Sequence, residues 1–175
     1  MHRYILACVF LMAAASSGAS EAGDPMTPVR QFFDTMNKGN LDFAMKTCSS
    51  NVAITDEFFP FFWQGPTACQ DWFGALVAFS KKNNLTVEGV TLGEAVESTV
   101  EGDHAYLTVP AAFAFKVGAT HQVEQGAKFT AALTRQADGW VVTAWTWTKP
   151  ASPQASERPP RASFRKSHCL KNDFE

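Results

Sequence analysis

The feature that most constrains this chain is a change of period at Leu85. Before it, apolar residues recur at helical spacing; after it, they alternate. Segments 85–99, 104–116, 120–135 and 140–149 read as strands. Turn signals separate them at Glu101-Gly102-Asp103, Val117-Gly118-Ala119 and Ala137-Asp138-Gly139. Consecutive strands with short turns form an antiparallel meander. Helices first and strands afterwards give an α+β fold, with three N-terminal helices packed on one face of a curved sheet.

The helical part divides into three. Val29, Phe32, Phe33 and Met36 form a stripe over 28–37, opened by Pro28 and closed at Lys38-Gly39. Asn40 can cap a second short helix carrying Leu41, Ala44, Met45 and Cys48. Val52 to Thr55 is β-prone and leads to Asp56. Thr67 and Gln70 have the spacing of a capping box for a third helix bearing Trp72, Phe73, Leu76 and Phe79. Between strand and helix lies Glu57 to Gln64, EFFPFFWQ, broken by Pro60 and expected to fold over the mouth of an apolar space.

The 175 residues suffice for one ordinary domain, and 46% hydrophobic against 18% charged residues exclude a wholly disordered chain. Residues 1–19 have the form of a secretory signal, with Arg3, an apolar run over 4–15 and small residues at Ser17-Gly18-Ala19. A secreted or periplasmic protein is therefore expected, with no membrane association once the signal is removed. The domain is expected over 26–149. Segment 150–175, rich in Pro and Arg, lacks the apolar surface to offset its ordering entropy and reads as a disordered tail. Residues 20–149 carry 9 basic and 14 acidic groups, so no basic face for nucleic acid is expected. In an oxidising compartment Cys48 and Cys69 are expected to pair; two buried thiols are the alternative. No zinc spacing, phosphate loop, nucleotide fingerprint or nucleophile elbow occurs, so neither metal nor cofactor is expected.

The helix pair joined by Lys38-Gly39-Asn40, the strand ending in Asp56, the Trp63-Gln64-Gly65-Pro66 entry to the third helix and the last strand from Gly139 to Trp147 form a pattern. It resembles the SnoaL-like branch of the nuclear-transport-factor-2-like superfamily, over about residues 26–149. The resemblance implies a cone, a bent sheet wrapped on helices, with an apolar pocket at the open end. It also implies that Asp56 matches the Asp with which isomerases and cyclases of this fold abstract a proton beside a carbonyl. The positions of the isomerase oxyanion donors fall at Phe32 and near Ala131, neither of which can donate. Sheet-to-sheet homodimers are frequent in the family.

Asp56, beside so much apolar surface, is the candidate general base. Glu57 should point the opposite way if the chain stays extended. His104 and Tyr106 share a strand face and could assist, Tyr106 as the one phenol left after signal removal. Phe32, Phe58, Phe59, Phe62, Trp63 and Trp72 are the candidate ligand wall. Trp145 and Trp147 alternate with Val142, Ala144 and Thr146, and the bulky face is expected towards a partner subunit. Three functions remain open: an exported binder of a small hydrophobic molecule; an isomerase, cyclase or dehydratase using Asp56; and a non-catalytic dimeric scaffold whose pocket is filled by its own rings.

Overall fold

The computed structural model describes residues 23–150; the expected signal over 1–19, the expected tail beyond Pro150 and Cys169 lie outside them. The order is α1 (Met26–Asn37), α2 (Leu41–Lys46), β1 (Cys48–Thr55), β2 (Phe62–Gly65), α3 (Ala68–Lys82), β3 (Leu85–Leu92), β4 (Glu97–Glu101), β5 (His104–Val117), β6 (Thr120–Gln136) and β7 (Gly139–Thr148). The strands make one curved sheet in the order β2-β1-β7-β6-β5-β3, with β4 also on β5. All pairs run antiparallel except β1 with β7. That parallel pair is possible because the helix α3 and the whole meander lie between the two strands in sequence. No helix among the described residues is long and apolar enough to cross a membrane.

Local chemistry explains the departures from the expected elements. Helix α1 starts before Pro28, because the Asp24 carboxylate accepts the Met26 N–H at 2.9 Å and satisfies an orphan donor. Thr67 makes no capping bond; its hydroxyl donates to Asp71 at 2.7 Å instead. Cys48 opens β1 rather than closing α2, and its disulfide to Cys69 ties the start of β1 to the first turn of α3. Closing that loop stabilises the fold by about 3 kcal/mol. The expected strand 85–99 is two strands on one edge of β5. Pro110 lies opposite the break, with its carbonyl accepting from Gly93 N at 2.8 Å and no N–H to give.

Three strands carry an extra residue. Pairing slips at Glu88 in β3, at Gly126 in β6 and at Thr143 in β7, and such bulges bend a sheet. The slip at Thr143 corrects the expected facing of β7. Trp140 and Val142 point inward before it, and Trp145 and Trp147 point inward after it. The bulky face therefore meets the helices, not a partner. The core gathers Val29, Phe32 and Phe33 of α1, Val52 and Ile54 of β1, Trp72 of α3, Leu107 and Val109 of β5, Phe129 and Leu133 of β6, and Trp145.

Candidate functional site

Between α1, α3 and the concave face of the sheet lies a cavity of about 300 Å³. This is at the lower end of the range, about 300–1,000 Å³, that accommodates small molecules. Its lining follows from helical and strand periodicity. Helix α3 gives Trp72, Leu76 and Phe79, one face at spacings of four and three; α1 gives Phe33, Met36 and Asn37, likewise one face. Phe113 of β5 and Trp145 and Trp147 of β7 complete the aromatic wall. The edge strand β3 is held in place by the Asn37 amide, which donates to Val90 O at 2.7 Å and accepts from Val90 N at 2.9 Å. A Cβ on Gly89 would meet the Asn37 Oδ1 at 3.0 Å, at a φ of +149°, so this close approach requires glycine.

Asp56 is 8% exposed and is the one charged residue buried in the described chain. Its Oδ2 accepts the Trp72 indole N–H at 2.8 Å, and its Oδ1 accepts the Glu57 backbone N–H at 2.7 Å. Burial raises its pKa to about 6, and the two N–H donors only partly oppose this. At neutral pH the group is mostly a carboxylate, more basic than a solvated one by about two powers of ten.

Glu57 also lines the cavity, against the expectation that it would point away. Strand β1 ends at Thr55, and the Asp56 N–H turns to Phe61 O at 3.2 Å, so strand alternation no longer applies. Lys149 holds Glu57 at 2.7 Å and reaches Glu124 at 3.8 Å. Burial nevertheless raises the Glu57 pKa, with the Lys149 hydrogen bond opposing. A third acid, Glu88, faces the cavity from the bulge of β3. It binds Lys116 at 3.0 Å and His121 at 2.8 Å, and the Lys116 bond chiefly lowers its pKa.

Of the residues expected at the site, Asp56, Phe58 and Trp72 come together on the cavity wall. Phe58 stacks on Phe79 with ring centres 5.5 Å apart. Phe59 and Phe62 do not join them: they are 80% and 54% exposed, because the turn closed by Phe61 N–H to Phe58 O at 2.8 Å leaves only Phe58 facing inward. Trp63 is buried behind Phe58, and Phe32 is buried in the core between Phe33, Trp72 and Trp145. His104 and Tyr106 are corrected outright. They occupy the outward positions of β5, where Ala105 and Leu107 take the inward ones, and the Tyr106 hydroxyl accepts from Thr108 at 3.2 Å. Glu88, Phe113 and Lys149 have no place in the sequence reading, and Trp145 and Trp147, expected to face a partner, line the cavity instead. An isolated glycine after Glu88 inside a strand pattern was the available signal for that bulge. Nothing comparable marks Thr143.

No protein-family profile matches the chain, and no curated protein matches it either. Solved structures do. An NTF2-like protein with a cystatin-like fold from Novosphingobium aromaticivorans superposes with a TM-score of 0.57 at 15% identity, covering 74% of this chain and 82% of its own. An NTF2-like protein of unknown function in nutrient uptake from Rhodospirillum rubrum gives 0.56 at 18% identity, covering 74% and 100%. A proposed ketosteroid isomerase from Shewanella frigidimarina gives 0.53 at 21% identity, covering 73% and 98%. The likeness is one of fold: this chain has the nuclear-transport-factor-2-like, cystatin-like α+β fold.

Proposed function

We propose that this domain binds a small, largely hydrophobic molecule in the cavity between α1, α3 and the sheet. The observation that carries the proposal is an open hollow of about 300 Å³ walled by aromatic rings around one buried carboxylate. Leaving apolar surface unpacked and a carboxylate desolvated both lower stability, and occupancy by a ligand offsets that loss. A scaffold whose rings fill their own pocket fits this hollow poorly. Export through the 1–19 segment and pairing of two copies through the sheet belong to the same proposal.

An isomerase, cyclase or dehydratase is the second candidate, favoured by one observation: the Asp56 pKa near 6 suits a general base. The oxyanion donors such chemistry needs are not supplied. Phe32 and Ala131 are apolar and buried, Tyr106 faces outward, and the Trp72 N–H is already given to Asp56. One missing donor commonly costs roughly 2.7–4 kcal/mol of barrier lowering.

Native mass spectrometry of the purified full chain tests binding. A co-purifying mass that disappears in a Leu76→Trp variant, which plugs the cavity, is the expected result. A ligand-free protein whose tryptophan fluorescence ignores a panel of small apolar compounds would remove the proposal.

A further inference from the structure

The charges around the cavity are unequal. Asp56, Glu57 and Glu88 line it, and Glu124 accepts the indole N–H of one lining residue, Trp147, at 3.2 Å. Two lysines face these four acids. Lys116 is taken by Glu88, together with His121, and Lys149 is shared between Glu57 and Glu124. Asp56 alone has neutral hydrogen-bond partners only, an indole and a backbone amide. Each carboxylate oxygen can accept about two hydrogen bonds, so both oxygens of Asp56 keep capacity after those two contacts.

Around that carboxylate stand Trp72, Phe58, Phe79, Phe113, Trp145 and Trp147. Aromatic faces carry negative electrostatic potential and attract organic cations, tryptophan most strongly. Residues 20–149 as a whole carry 14 acidic against 9 basic groups, a net charge that favours a cation over an anion as partner.

Resting on the ligand-binding proposal, we propose that the cavity selects an organic cation: an amine or quaternary ammonium whose apolar part lies on the aromatic wall and whose positive head lies against Asp56. A neutral apolar molecule would use the rings and leave the carboxylate unmatched. An anion would meet three acids on the cavity wall.

Three probes of similar shape separate these cases: benzyltrimethylammonium, its uncharged carbon isostere neopentylbenzene, and the anion phenylacetate. Ligand-observed NMR on the purified full chain at pH 7.5 reads their relative affinities. A plain apolar pocket prefers neopentylbenzene, which gives up less water. The cation site should reverse this order, holding the ammonium about tenfold more tightly and phenylacetate least. In Asp56→Asn the ammonium should lose that advantage, and the order should revert to that of a plain apolar pocket, neopentylbenzene first. Neopentylbenzene binding as tightly as the ammonium to the natural chain overturns the cation assignment and leaves the binding proposal standing. Binding of neither overturns the assignment, and the co-purification experiment then decides the binding proposal separately. The comparison on the natural chain needs no variant, so poor folding of Asp56→Asn would not blunt it.

Discussion

Trp145 divides two regions built from the same kinds of side chain. On one side it lines a gap with Val29, Phe32, Val52, Phe129 and Val142, and the space left among them is about 10 Å³, room for one water molecule at most. On the other side it meets Trp72 and lines the cavity with Phe79, Phe113 and Trp147, and about 300 Å³ stays open. Hydrophobic content does not separate the two. On the filled side, the Phe33 and Phe129 rings meet edge to face at 5.0 Å, and Phe129 meets Trp145 at 5.4 Å. On the open side, carboxylates stand among the rings, and the Asn37 bridge to Val90 ties the edge strand β3, with its bulge at Glu88, to α1. The filled side carries the stability of the domain; the open side is held open at a cost to it.

Three substitutions or conditions sharpen or break that contrast. The largest effect belongs to the filled side. Phe129→Ala removes a ring that is 2% exposed and should lower unfolding free energy by about 3–5 kcal/mol in a denaturant titration. A loss under 1 kcal/mol would mean that the two sides do not differ in packing.

The next effect comes from the buried acid. The Asp56 pKa is raised in the fold, from 3.8 to about 6. Between those values the unfolded chain releases its proton first, so stability should fall as pH rises, by up to about 3 kcal/mol. Asp56→Asn should flatten this part of the profile. Its stability at neutral pH should change little, because relief of the buried charge is offset by one stranded N–H donor. An amide has one acceptor oxygen where the carboxylate offers two, to Trp72 and to Glu57. Equal slopes for both proteins between pH 4 and pH 6 would place the carboxylate in water.

The smallest effect distinguishes a hollow from a packed core. In a filled interior a small-to-large change costs about 1–3 kcal/mol. Leu76→Trp, directed into the cavity, should shift stability by less than about 1 kcal/mol while occluding the site. A melting temperature lowered as far as a typical overpacked core variant would contradict the open space.

The candidate site was partly legible beforehand. A β-prone run ending in Asp56 and followed by four Phe within six residues marked a carboxylate beside apolar surface, and Trp72 lay on the expected apolar face of its helix. The choice among the aromatics was not legible. Phe58, Phe59, Phe61 and Phe62 are chemically alike, and only the turn of the backbone decides that Phe58 faces inward. Tyr106 and His104 were placed on the right strand but not on its outer face, since alternation fixes which residues share a face and not which face is buried.

From the amino-acid order alone came three helices followed by a run of strands, the positions of most turns and the α+β class, because these depend on spacing along the chain; β2 and the division of 85–99 into β3 and β4 did not. Tertiary structure alone decided that β1 pairs parallel with β7, that Glu57 turns inward beside Asp56, and that Trp145 and Trp147 wall a cavity. The reason is the same in each case. A single unpaired residue, such as Thr143, or the end of a strand, as at Thr55, resets which way every later side chain points. Its placement follows from how neighbouring strands must bend to close on the helices, and at Thr143, unlike beside Gly89, no local pattern of residues carries that information.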